Sequence, residues 1–221
     1  MKDSIEIYKN NVKTLNDLID KYKELEICRK DIIGAYNLMK ECYGGGHKIL
    51  ICGNGGSAAD AEHIVGELMK GFKNARTLPF DKKEILVNLY TDGKYLSDNL
   101  QEALPAISLV SGISLSTAYV NDVAADMVYA QQIYGLGVKG DIVIGISTSG
   151  NSGSIINALK VAGAFGMKTI GLTGNRNGEM QKFCDVSIKV PQSETYLVQE
   201  LHMPVYHALC AMIEQEFFGK N

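Results

Sequence analysis

Five short apolar runs, separated by glycine-rich turns and amphipathic stretches, constrain this chain more than any other feature: KILIC at 48–52, AISLV at 106–110, DIVIGI at 141–146, KTIGL at 168–172 and VSIKV at 186–190. Runs of this length, without a polar residue at every second position, predict strands buried on both faces, as in a parallel sheet. The stretches between them predict helices at 57–72, 114–136 and 152–165, and a C-terminal helix at 194–218. Strands alternating with helices imply an α/β fold, a doubly wound parallel sheet flanked by helices, with ligands at the carboxyl ends of the strands.

Two helices precede the sheet and form an N-terminal extension over 1–44. Residues 3–23 carry Ile5, Tyr8, Val12, Leu15, Ile19 and Tyr22 at helical spacing, with Asp3 or Ser4 available as the cap. In the second, Cys28, Ile32, Ala35, Tyr36 and Met39 share a face, and the run Gly44-Gly45-Gly46 ends it. The apolar stripe of the first helix packs either on the core or on a partner subunit. Segment 73–103 gives a mixed signal: ILVNLY at 85–90 fits a strand, and SDNLQEAL at 97–104 a helical turn.

With 221 residues, 46% of them hydrophobic, the chain can bury its own core as one domain. Its net charge of −3 comes without a block of lysine and arginine, which argues against a nucleic-acid partner. The five cysteines (Cys28, Cys42, Cys52, Cys184, Cys210) are odd in number and lack a CxxC pair, a pattern expected of reduced thiols in a cytoplasmic protein. The charged N-terminus does not read as a signal peptide, and no stretch approaches the roughly 18 apolar residues of a membrane span.

The first chemical signal is GNGGSAADAEH, from Gly53 to His63, which leaves one strand and opens a helix that Ser57 can cap. It matches the relaxed dinucleotide fingerprint GxGxxA. That reading calls for an acid at the end of the next strand, about 20 residues on, whereas Asp92 stands 34 residues after Ala58. The second signal is ISTSGNSGS, from Ile146 to Ser154, again between a strand and a helix. Hydroxyls of Ser147, Thr148, Ser149 and Ser152, with free amides at a helix N-terminus, suit a phosphate monoester. The plainer alternative is a Ser/Thr-rich turn that caps a helix. A triphosphate would call for the GxxxxGK[ST] lysine, which is missing.

His63 and Glu67 stand four apart on one helix face; by itself such a pair is an ordinary surface contact as readily as a ligand pair. Gln199 and His207, eight apart, lie two turns along nearly the same face of the last helix, which also contains Pro204. Two imidazoles, a carboxylate and an amide oxygen together suit zinc or another divalent metal. His202 points elsewhere on that helix and reads as a packing or surface histidine.

GNGGSAADAEHIVGEL, the pair Asn121-Asp122, GISTSGNS and QELHMPVYHALCAMIE together strongly resemble the bacterial phosphoheptose isomerases, which carry the sugar-isomerase (SIS) fold. The resemblance spans most of the chain. It implies aldose–ketose interconversion of sedoheptulose 7-phosphate and D-glycero-D-manno-heptose 7-phosphate by a cytoplasmic homotetramer with sites at subunit interfaces. It also implies one zinc per subunit at His63, Glu67, Gln199 and His207. The substrate site it implies comprises Asn54, Gly55, Gly56, Ser57, Asn121, Asp122, Ser147, Thr148, Ser149, Ser152, Gln199 and Glu67, with Glu67 and His207 moving protons. Segment 73–104 departs from the family as a longer insert before Leu104-Pro105-Ala106-Ile107. The same fold also serves non-catalytic phosphosugar regulators and a scaffold that associates with the DnaA replication initiator. The complete quartet favours an enzyme over these.

Overall fold

The computed structural model describes residues 2–219, with side-chain surroundings from residue 6 onward. The side chains of Ile5, Asp3 and Ser4 therefore lie outside the described residues. Helix α1 (Lys2–Lys21) leads through a 3-10 turn at Lys23–Cys28 into α2 (Arg29–Gly44). The five apolar runs form β1 (Ile49–Gly53), β2 (Ala106–Ser108), β3 (Ile142–Ile146), β4 (Lys168–Thr173) and β5 (Val186–Lys189). All pair in parallel, in the order β2-β1-β3-β4-β5.

Successive strand residues point to opposite faces, so each apolar run feeds two cores. Ile49, Ile51, Ile142, Ile144, Ile170 and Ile188 pack beneath α1, α2, α3 (Gly56–Met69) and α9 (Thr195–Phe218). Leu50, Cys52 and Val143 face α7 (Val128–Leu136) and α8 (Gly153–Ala164). In this strand order the direction of winding reverses between β1 and β3, which opens a crevice at their carboxyl ends. The GNGGS loop leaves β1 and the ISTSGNS loop leaves β3, so both chemical signals meet at that crevice. Among the described residues, no helix is long and apolar enough to cross a membrane.

Three expectations from sequence are corrected. ILVNLY is not a strand: it lies in and just beyond α4 (Phe80–Leu89), which pairs with α5 (Gly93–Asn99). A strand needs a neighbour to satisfy its backbone, whereas a helix satisfies its own; this segment meets no sheet edge, and its apolar β-formers are overridden. The close turn depends on Gly93, where an added Cβ would lie 2.0 Å from the carbonyl oxygen of Leu86. The helix expected at 114–136 is broken into α6 (Ile113–Asp122), a 3-10 turn at Ala125–Met127, and α7. At the break the Asn121 amide donates to the Asp122 carboxylate (2.8 Å), and such short polar side chains offer the chain alternatives to helical bonding. Ser57 does not cap α3; Gly55 does, at φ 58°, a left-handed conformation that glycine adopts without strain.

Residues 73–104 leave and rejoin the fold at one place. Thr77 and Gln101 form an antiparallel bridge, Glu102 N–H donates to Arg76 O (2.7 Å), and Leu104 N–H donates to Leu68 O (3.0 Å). Beyond this seam α4 buries no residue, and α5 buries only Gly93 and Ser97.

Candidate active site

At the crevice, the backbone and side chains of both loops line a depression of about 280 Å³. Asn54, Gly55, Gly56 and Ser57 form one wall, Ser147, Thr148, Ser149 and Ser152 the other, and Thr195 and Gln199 of α9 close it. Asn54 ties the loops together. Its amide donates to Ser152 Oγ (2.8 Å) and Ser154 Oγ (3.0 Å), while its carbonyl accepts from Tyr129 Oη (3.1 Å). Ser152, the residue before α8, makes no side-chain cap bond, so first-turn amides stay available to an anion that the helix dipole favours. Gly56 admits α9: a Cβ there would lie 2.4 Å from Gln199 Nε2.

Beside this cradle a second cluster joins α3 to α9. His63 Nε2 stands 3.2 Å from Glu67 Oε1 and 3.4 Å from His207 Nε2. Behind it, the Tyr206 hydroxyl donates to Asp60 Oδ1 (3.3 Å) and stands 3.0 Å from His63 Nδ1. Tyr206 thus links Asp60 to the Nδ1 edge of His63, which turns Nε2 toward Glu67 and His207. Burial pushes the Asp60 carboxyl up, opposed by the Tyr206 bond and by His63. Burial also lowers the His207 pKa, as does His63, while Glu67 opposes both.

Two imidazole nitrogens and a carboxylate oxygen thus converge from α3 and α9, donor types that zinc takes together. Donors each about 2.0–2.1 Å from a tetrahedral zinc stand roughly 3.3 Å apart, and the two measured spacings bracket that value. Among the described residues, no group of three or more histidine, cysteine or carboxylate side chains is placed to hold a metal by itself. The donor types and the two pairwise spacings, with His63 common to both, carry the fit.

Nine of the residues expected at the substrate site thus line one depression. Three do not: Glu67 stands in the neighbouring donor cluster, and Asn121 and Asp122 are exposed at the end of α6, outside the cradle. His202 is fully buried, so the surface reading fails and the packing reading stands; burial lowers its pKa to about 4, opposed by the backbone of Thr173. Sequence reasoning missed Thr195 and the Asp60–Tyr206 pair behind His63. Asp60 carried a signal, standing three residues before His63 on the same helix face.

Comparison with known proteins agrees with this geometry. The SIS domain family matches residues 12–89 and 100–174. The phosphoheptose isomerase of Aliarcobacter butzleri is 40% identical over 194 residues, covering 88% of this chain and 89% of that protein. The structure of a Neisseria gonorrhoeae phosphoheptose isomerase superposes with a TM-score of 0.69 at 31% identity, over 96% of this chain and 98% of that one. A Francisella tularensis phosphoheptose isomerase gives 0.70 at 28% identity, over 97% and 98%. A donor cluster and an anion cradle at the β1/β3 crevice, a SIS-domain match over most of the chain and these relatives lead to one conclusion: the chain belongs to the phosphoheptose isomerase family of SIS-domain enzymes.

Proposed function

We propose that this enzyme interconverts sedoheptulose 7-phosphate and D-glycero-D-manno-heptose 7-phosphate through an enediol. The observation that carries this reading is the placement of Gln199, which lines the phosphate-sized cradle on the same helix face that brings His207 to His63 and Glu67. The hydroxyls of Ser147, Thr148, Ser149 and Ser152, with the amides opening α8, bind the phosphate and orient the far end of the sugar. Glu67 takes the proton from C1 of the ketose and returns one to C2, while His207 moves a proton between the two oxygens. Glu67 presents Oε1 to His63 and Oε2 to the exposed Lys70 at 3.2 Å, so release of Lys70 frees Oε2 for the carbon-bound proton. His63, Glu67, Gln199 and His207 would hold zinc, which when bound supplies a Lewis acid for the charge that develops on the enediol oxygens.

We further propose a homotetramer with sites at its interfaces. Helix α6 buries no residue and exposes Ile113, Leu115 and Val120, a surface that self-association would cover. Asn121 and Asp122 at its end would then reach a substrate across the interface rather than within their own protomer.

Incubation with sedoheptulose 7-phosphate, with and without a chelator, tests the reading. Turnover that the chelator removes and added zinc restores is expected, with no turnover by a folded Glu67→Gln variant. No product under any condition would point to a non-catalytic phosphosugar binder, and wild-type rates in Glu67→Gln would remove that carboxylate from the mechanism.

A further inference from the structure

Below the donor cluster lies an ion pair that no step of the reaction uses. Arg76 is 2% exposed and Glu214 fully buried, and Arg76 Nε donates to Glu214 Oε1 at 2.9 Å. The remaining guanidinium nitrogens donate to the last turn of α3, Nη1 to Leu68 O (2.5 Å) and Nη2 to Glu67 O (3.2 Å). Glu214 is equally occupied. Its oxygens accept the N–H groups of Phe72 (2.7 Å), Lys73 (2.7 Å) and Asn74 (3.0 Å), and the Asn74 side-chain amide at 3.2 Å.

A pair of charges taken out of water is a costly way to join two helices, and apolar side chains often do as well. What this pair adds is direction. The guanidinium holds the backbone carbonyl of Glu67 itself, and Glu214 lies two helical turns beyond His207 on α9. The two helices that supply the facing donors are thus fixed to each other directly beneath those donors. Metal ligands tolerate little displacement, and the groups that orient them tune affinity strongly.

We infer that Arg76 and Glu214 are positioning residues, a brace that sets the spacing of His63 and Glu67 on α3 from His207 on α9. The inference rests on the proposed metal-dependent reading of that cluster. It also predicts independence from the phosphate cradle, because the hydrogen bonds of the brace go to Glu67, Leu68 and residues 72–74 and to neither loop.

The test uses the full chain carrying Arg76→Lys, which keeps the charge but loses the fork, or Glu214→Gln, which keeps the shape but loses the charge. Zinc affinity is measured by equilibrium competition with a chromophoric chelator, alongside kcat and KM for sedoheptulose 7-phosphate. Ile32→Val, a core change in α2, controls for general loss of stability. Affinity and kcat should each fall at least 10-fold in a brace variant, with KM within twofold of wild type and Ile32→Val unaffected. Wild-type affinity and kcat in both folded brace variants would overturn the inference, as would equal losses in Ile32→Val. If wild-type protein fails to bind zinc, the metal reading itself fails. The brace is then judged on metal-free protein, where shifted His63 and His207 imidazole resonances in Glu214→Gln uphold it and unchanged ones overturn it.

Discussion

At the scale of single residues, the site depends on one missing side chain. Gly56 leaves room for the Gln199 amide, and a methyl group placed 2.4 Å from Nε2 has to push it aside. Gly56→Ala should therefore lower zinc affinity and kcat by between about 10- and 100-fold, while far-ultraviolet circular dichroism stays at wild type. A different residue governs behaviour in acid. His202 is buried with its pKa depressed from 6.5 to about 4, so between those values the unfolded chain binds a proton that the native chain refuses. Stability from this group is complete above pH 6.5 and is lost as pH falls toward 4, on the order of 3 kcal/mol in all. His202→Leu should flatten the fall in melting temperature over that window; an unchanged slope would assign the acid sensitivity elsewhere. That His63 and Glu67 share a helix face, and Gln199 and His207 nearly share one, is legible from spacing; that His207 comes to within 3.4 Å of His63 is not. The hydrogen bond from Tyr206 to Asp60 joins positions 146 apart in the chain, and no local pattern foretells it.

At the scale of elements, the five strands are written in the sequence because both faces of each are buried, which leaves runs with no polar interruption. Helix α4 is not, because β-propensity describes how a side chain fits a half-buried pleat, and ILVNLY meets no pleat. The seam at its base makes a prediction about this excursion. With Thr77 and Gln101 bridged, residues 78–100 can be replaced by a two-residue turn without stretching the chain. Because α4 buries nothing and α5 only Gly93 and Ser97, the shortened protein should melt within a few degrees of wild type when both are compared as protomers. A loss of cooperative unfolding would show that the hairpin supports the core.

At the scale of the whole molecule, the strand order explains why two loops nearly a hundred residues apart in sequence share one crevice: β1 and β3 are sheet neighbours. The sequence pattern announces a wound sheet, but strand order is a matter of which edges meet, so the crevice becomes visible only in the fold. Light scattering checks the proposed assembly. The expected mass is four times the 24.1 kDa of one chain, and Leu115→Lys with Val120→Lys should reduce it by removing apolar surface from α6.

The closing wall of the crevice is supplied by α9, a single helix that also covers one face of β1, β3, β4 and β5. Without it, His63 and Glu67 keep each other but lose His207, and the face that carries Ile144 and Ile170 loses part of its cover. A chain cut before Thr195 should therefore be both inert and sticky. Docking of this one helix brings His207 to the donor cluster and covers the apolar face together, so chains cut within it should show no intermediate grade of activity.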